Sequence, residues 1–355
     1  MELSDWGWND HFESHYGPWK MRGLLPARVT REDRQRYRLE GASGTWKGRL
    51  AGSARHRMTG RGEYPTVGDW VVAKVDHQEA TASIQAVLAR RSSFSRKAVL
   101  AGGPAYGEGK TEEHVLAANI DSVFLISGLD GDHNVRRLER YLTVVGESGA
   151  RPVIVLNKLD ACADLARVVA EAEVLTPGVP VHAISALHGD GVDGLRSYLQ
   201  RGQTLALLGS SGVGKSTLIN TFLGSERLRV GKVREYDKRG RHTTTHRELI
   251  RLPGGAMLID TPGLREIQSW AGEEEVAHTF ADIEELIAQC RFRNCRHQTE
   301  PGCAVREAIE EGVLDPGRFR NYVRLRREAE VLDVRKEQRA RIRGGIINKM
   351  HRRRP

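Results

Sequence analysis

Residues 209–217, Gly-Ser-Ser-Gly-Val-Gly-Lys-Ser-Thr, limit what this chain can fold into more than any other stretch. They fit G-x-x-x-x-G-K-[ST], follow the apolar run TLALL and precede TLINTFL. A strand, a glycine-rich turn and a helix in that order turn backbone N–H groups inward around phosphate at a helix N-terminus. Gly209, Ser210, Ser211, Gly212, Val213, Gly214 and Thr217 are expected to line that cradle. Lys215 is expected to reach the β- and γ-phosphates, and the Ser216 hydroxyl to bind Mg²⁺. The pattern implies a nucleoside triphosphate and an α/β fold, and says nothing of the base.

The base is read elsewhere. Asn157-Lys158-Leu159-Asp160 follows the apolar strand PVIVL, at the carboxyl end where α/β sheets bind ligands. The Asp160 carboxylate can accept from both the ring N–H and the exocyclic amine of guanine, a donor pair that adenine lacks. Asn157 is expected at the other edge of the ring, with the Lys158 stem over its face. Ser185-Ala186-Leu187, after VPVHAI, fits a backbone contact to the guanine carbonyl.

Two switch segments follow. Asp260-Thr261-Pro262-Gly263 ends the strand AMLI; Asp260 is expected to hold Mg²⁺ through water and the Gly263 N–H to sense the γ-phosphate. Gly240-Arg241-His242-Thr243-Thr244-Thr245 supplies a switch threonine, assigned to Thr244 ahead of its neighbours. Leu264 stands where many GTPases carry the glutamine that orients water, so His242 is the candidate for that task; its rival reading is a surface histidine. The order is base loop, phosphate loop, switch threonine, DTPG, a circular permutation of the usual GTPase order. The chain is therefore expected to bind and hydrolyse GTP.

The net charge of +9 is unevenly spread. Residues 1–19 carry four acids and no Lys or Arg, whereas 20–97 carry 17 Lys/Arg against 7 Asp/Glu. The middle is acidic, and the last 38 residues carry 14 against 4. Basic ends suit a polyanion, or merely solvate the surface. Leu24–Val29, Tyr37–Leu39, Trp46–Leu50, Gly68–Val75 and Ala82–Leu88 read as short strands. Five such strands suggest a small barrel of the oligonucleotide-binding (OB) type, either binding nucleic acid or only packing on its neighbour. Residues 92–114, rich in Ser and Gly, read as a linker. Strands at Ile120–Ser127, Pro152–Leu156, Val181–Ile184, Gln203–Leu208 and Met257–Ile259 alternate with helices, one of them over Val192–Gln200, which predicts a mostly parallel sheet.

Cys290-x4-Cys295-x-His297-x5-Cys303 offers three thiolates and an imidazole, enough to close a tetrahedral structural zinc shell. Cys162, the one cysteine outside it, reads as a small buried hydrophobe. Helical periodicity resumes after residue 275 and runs through Pro316–Ile342, with NKMHRRRP as a basic tail. Four cysteines, no leader-like start and no apolar run of membrane-spanning length suggest a cytoplasmic protein without a membrane partner.

EEHVLAANIDSVFLIS, GSSGVGKSTLIN, GRHTTT, DTPGLRE and CRFRNCRHQTEPGCAVREA, in this order, resemble the bacterial small-ribosomal-subunit biogenesis GTPases of RsgA type. The resemblance spans about residues 22 to 330 and leaves the first 20 unassigned. It implies a circularly permuted P-loop GTPase domain (101–274), flanked by an OB-fold barrel (22–100) after an N-terminal extension (1–21) and by a helical zinc domain (275–355). It further implies binding to the small ribosomal subunit and its rRNA and a part in late subunit maturation; GTP and GDP are the expected ligands and a monomer the expected state. A constitutive RNA-binding zinc protein without turnover and a permuted GTPase of the large subunit are the competing readings.

Overall fold

The computed structural model describes residues 2–99, 111–224, 247–260 and 273–330, and the side chains of all these except 96–99, 111–113 and 260. The chain divides into two compact units, Met1–Val135 with Ser148–Gln268, and Arg136–Glu147 with Ser269–Pro355.

The first unit opens on a 3-10 turn, Leu3–Trp6, and helix α1, Asp10–Lys20, capped by the Asn9 side chain on the His11 N–H. The aromatics in this acidic stretch form its inner face. Phe12 is 1% exposed, Trp8 meets the buried Trp70 edge-on at 4.7 Å, and the Tyr16 hydroxyl donates to Leu24 O. Burying a side chain such as Phe12 contributes about 2–3 kcal/mol. Asp5 pairs with Arg201, and the carbonyl of Trp6 accepts from the fully buried Arg28, whose guanidinium burial pulls down to a pKa of about 10. The first 20 residues are thus an integral layer of the unit.

Strands β1 (Leu25–Asp33), β2 (Arg36–Gly41), β3 (Gly44–Leu50), β4 (Trp70–Asp76) and β5 (Thr81–Val87) follow, with a one-turn helix α2 (Gly52–Arg57) between β3 and β4. They pair in the order β1-β2-β3-β5-β4, and β4 pairs back onto β1, closing a five-stranded barrel. Period-two alternation builds it. Tyr37, Leu39 and Trp46 fill the interior with Val29, Val71 and Ile84, while Arg36, Arg38, Lys47 and Arg49 face outward.

The stretch read as a linker corrects that expectation. Strands β6 (Ser93–Val99) and β7 (Thr111–Ala118) form an antiparallel hairpin, with Ser93 opposite Ala118 and Val99 opposite Thr111. In β6 Phe94 stands among small polar residues, and β7 turns apolar only at Val115–Ala118, past the stretch read as a linker, whose own composition resembles a loop.

The sheet strands are β8 (Ser122–Gly128), β9 (Arg151–Asn157), β10 (Val181–Ile184), β11 (Thr204–Gly209), β12 (Arg247–Arg251) and β13 (Met257–Asp260). Helices α3 (Val135–Ser148), α4 (Leu165–Leu175) and α5 (Lys215–Leu223) connect them, and residues 136–147 of α3 pack in the second unit. The order β10-β9-β8-β11-β13 is parallel throughout, as expected for buried apolar strands. β12, unforeseen because RELIR is mostly charged, pairs antiparallel with β13 and with β1. Arg247 meets Glu32 across that second pairing at 3.2 Å, so sheet and barrel share one continuous ladder. The helix expected over Val192–Gln200 is a 3-10 turn, Val192–Tyr198, because Gly191 and Gly194 leave too short a run for an α-helix.

In the second unit α6 (Glu273–Thr279), α7 (Ala281–Ala288), α8 (Ala304–Glu310) and α9 (316–330) surround Val276, Phe280, Ile283, Val305, Tyr322 and Leu325. Glu139 of α3, 1% exposed, accepts from Arg136, Arg318 and Asn321, and Arg318 also pairs with Asp282. Residues 331–355, including the rest of the expected helix and the basic tail, lie outside the described residues.

Candidate functional site

The sheet order brings the ends of β9, β10 and β11 to one edge, and with them three of the motifs. Asn157 joins them. Its Nδ2 donates to Val213 O of the phosphate loop at 2.8 Å, and its Oδ1 accepts from the Ala186 N–H at 2.9 Å. At 2% exposure, with both amide atoms engaged by backbone, Asn157 braces the loops, and the second hydrogen of its Nδ2 is left to donate to a ring edge. Gly214 makes this approach feasible: its φ is +100°, and a Cβ there would lie 2.1 Å from Asn157 Nδ2.

Asp160 accepts from the Ser185 hydroxyl at 2.6 Å. That hydrogen bond holds its carboxyl below the usual carboxylate range, so an ionised acceptor is ready at neutral pH. Leu159 opens the 3-10 turn carrying Asp160, and Lys158 before it takes a left-handed φ of 66°. Lys215, 8% exposed, donates to the carbonyls of Gly209 and Ser210. It starts α5, whose N-cap Gly214 provides no side-chain cap, leaving the first-turn N–H groups of Lys215, Ser216 and Thr217 directed at the loop's mouth. Ser211 and Gly212 complete the turn, both exposed or nearly so.

Asp260 ends β13, opposite Glu248 of β12. Its side chain, Gly263, His242, Thr244 and Leu264 lie outside the described residues. Two aspartates that sequence reasoning passed over also reach these loops: Asp130 ion-pairs with Lys158, and Asp132 accepts from the Ser210 hydroxyl. The only signal for them was position, directly after an apolar strand.

The second candidate site is the cluster Cys290, Cys295, His297 and Cys303, whose ligand atoms all lie within 4.8 Å of one another. The Cys290 and Cys303 sulfurs are 4.0 Å apart, and His297 Nδ1 is 3.6 and 3.4 Å from them. A tetrahedral zinc shell separates its ligands by about 3.5–3.8 Å, so the donor set fits such an ion. Burial lowers the His297 pKa, favouring the neutral, ligating imidazole. Burial and the neighbouring thiols push Cys303 up to about 11, the crowding that a divalent cation relieves by taking thiolates as ligands. Glu300 accepts from the N–H groups of Arg296, Gln298 and Thr299 and is thereby held at about 2, fixing the turn that carries His297 toward Cys303. Cys162 is half-buried and apart from the cluster.

Residues 87–270 match the family model described as RsgA GTPase. The small ribosomal subunit biogenesis GTPase RsgA of Opitutus terrae is 47% identical over 338 residues, covering 92% of this chain and 90% of that protein. Among solved structures, YjeQ from Thermotoga maritima aligns with a TM-score of 0.62 at 25% identity, over 86% of this chain and 98% of that one. YloQ, described as a circularly permuted GTPase, aligns with a TM-score of 0.58 at 23% identity, over 86% and 95%. Among the described residues, no helix is long and apolar enough to cross a membrane.

Proposed function

The chain belongs to the RsgA GTPase family, and from that premise we propose that it is a GTP-hydrolysing assembly factor that engages the maturing small ribosomal subunit and its rRNA. The observation that carries this reading is the convergence of Asn157–Asp160, Ser185–Ala186 and Gly209–Thr217 at one end of a sheet whose strands are threaded in permuted order. Asp160 selects guanine, Lys215 and the α5 N-terminus take the phosphates, and Ser216 with Asp260 holds Mg²⁺. Thr244 and Gly263 respond to the γ-phosphate, and His242 orients water on the bound subunit.

The cluster 290–303 binds one zinc, which supplies structure rather than chemistry, since four protein ligands leave no open position. The barrel's outer face, with Arg36, Lys47 and Arg49 beside Arg38, offers cations to RNA phosphate. The chain crosses between the nucleotide-bearing unit and the second at three places, after Val135, Glu147 and Gln268, so GTP state has three covalent routes to the second unit. The protein works in the cytoplasm as a monomer. Sedimentation with each ribosomal subunit, in GTP-analogue, GDP and nucleotide-free conditions, tests the reading. Co-sedimentation with the small subunit in the analogue alone is expected; indifference to nucleotide would overturn it.

A further inference from the structure

Strand β8 lies between the two strands whose loops hold the nucleotide. Gly128 is in register with Asn157 at the end of β9, and Ile126 with Gly209 at the end of β11. The segment after β8 therefore emerges between the base loop and the phosphate loop. It reads Leu129-Asp130-Gly131-Asp132 and bonds to both. The Leu129 N–H donates to Asn157 O at 2.8 Å, the Asp130 carboxylate pairs with the Lys158 ammonium, and the Asp132 carboxylate accepts from the Ser210 hydroxyl.

The local sequence permits this turn. A Cβ at position 128 would lie 2.6 Å from Asp130 Oδ1 and 3.4 Å from the Val213 side chain, so any residue but glycine makes the Asp130 carboxylate shift. Lys158 takes the left-handed conformation, and its ammonium is held at Asp130 while its backbone sits between Asn157 and Leu159. Its stem is then fixed at the base loop instead of sampling solvent, which lowers the entropy lost when a purine slides beneath it. On the other side, the Ser210 hydroxyl is fixed by Asp132 while its carbonyl accepts from Lys215. One turn thus braces the residue that covers the base and the residue beside the phosphate-binding lysine.

We propose that Asp130 and Asp132 are positioning residues for the nucleotide: Asp130 holds the Lys158 stem over the purine face, and Asp132 holds Ser210 and with it the entry of the phosphate loop. The proposal rests on the guanine-nucleotide site described above. Because stacking does not read the edge of the ring, Asp130 sets affinity without setting base choice, in contrast to Asp160. Neither residue is part of the phosphate-loop or base-loop pattern.

Equilibrium binding of GDP and inosine diphosphate to the full chain with Mg²⁺, by displacement of a fluorescent GDP, tests this. Asp130→Asn is expected to weaken both ligands about fivefold, the range of a partly exposed ion pair, with the GDP-to-inosine ratio unchanged. Asp130→Glu should recover most of the loss. On a Lys158→Met background the same Asp130→Asn change should have no further effect. Asp132→Asn should weaken both ligands about tenfold, as for a lost charge-assisted hydrogen bond. Wild-type affinity in both Asp130→Asn and Asp132→Asn, additive losses for Asp130 and Lys158, or a shifted base ratio in Asp130→Asn would each overturn the proposal. A wild-type chain that binds no GDP, or an Asp160→Asn chain that keeps its guanine preference, would instead refute the nucleotide site and this inference with it.

Discussion

The nucleotide end of the sheet and the Cys/His cluster are both built from short motifs, yet they differ in what surrounds their polar atoms. At the nucleotide end nearly every functional group already has a protein partner. Asn157 has Val213 and Ala186, Asp160 has Ser185, and Lys215 has the Gly209 and Ser210 carbonyls. In the cluster three thiols and an imidazole crowd one another, and burial and that crowding raise the Cys303 pKa to about 11. The first set of groups is held by the protein itself, which suits a nucleotide that comes and goes. The groups of the second set have chiefly one another for partners, which suits a ligand that stays.

The largest effect expected from this contrast is on folding. Structural zinc contributes about 10 kcal/mol or more to small domains that contain it. Cys295→Ser with Cys303→Ser should abolish the one zinc per chain and unfold residues 273–330, seen as lost amide protection there. GDP binding should persist. A folded, metal-free second unit would show that the core around Phe280 and Tyr322 suffices and that the cluster is not frustrated at all.

Next comes the base. Asp160→Asn exchanges an acceptor for a donor, and leaving a base-reading site mismatched costs about 10³-fold or more. GDP affinity should fall by that factor and xanthosine diphosphate should gain. Unchanged GDP affinity would mean that the Ser185–Asp160 bond serves the fold and not the base.

The motifs at both sites were legible because their chemistry depends on residue type at fixed spacing: a lysine after a glycine turn, a carboxylate after a buried strand, four soft ligands in 14 residues. The braces were not. The bracing role of Asn157 was hidden because its partners, Val213 and Ala186, come from loops that only the strand order brings together. Asp130 and Asp132 belong to no pattern for the same reason. The β6–β7 hairpin and β12 were lost to composition, since Ser/Gly-rich or charged stretches carry little apolar signal. The N-terminal layer escaped because an acidic, aromatic stretch has no fixed meaning until Trp70, Arg28 and Arg201 are near it.

A third prediction separates bracing from contact at the first site. Asn157→Ala removes two buried hydrogen bonds and strands the Ala186 N–H and the Val213 carbonyl. Losses of that kind are worth about 1–3 kcal/mol each, so GDP, inosine and xanthosine diphosphates should all weaken by about 10²-fold, with a lower melting temperature of the first unit. An equal loss of affinity with an unchanged melting temperature would place the role of Asn157 at the ring edge instead of in the brace.

The smallest expected effect lies at the second site, where one group is satisfied before metal arrives. Glu300 accepts from three backbone N–H groups of the ligand-bearing turn. Glu300→Gln keeps the shape and removes the charge, and such outer supports typically change metal affinity about tenfold. The pH dependence follows from the direction of its shift. A carboxylate held at about 2, below its ordinary value, contributes fully above the ordinary range and loses its effect only as pH falls toward 2. Zinc affinity itself should fall from pH 8 to 5 as thiolates and the His297 imidazole take up protons. The ratio between wild type and Glu300→Gln should stay flat across that window, measured by competition with a chelator. A ratio that collapses toward one by pH 5 would place the Glu300 contribution in the titrating range, and the turn would then be held by the ion rather than prepared for it.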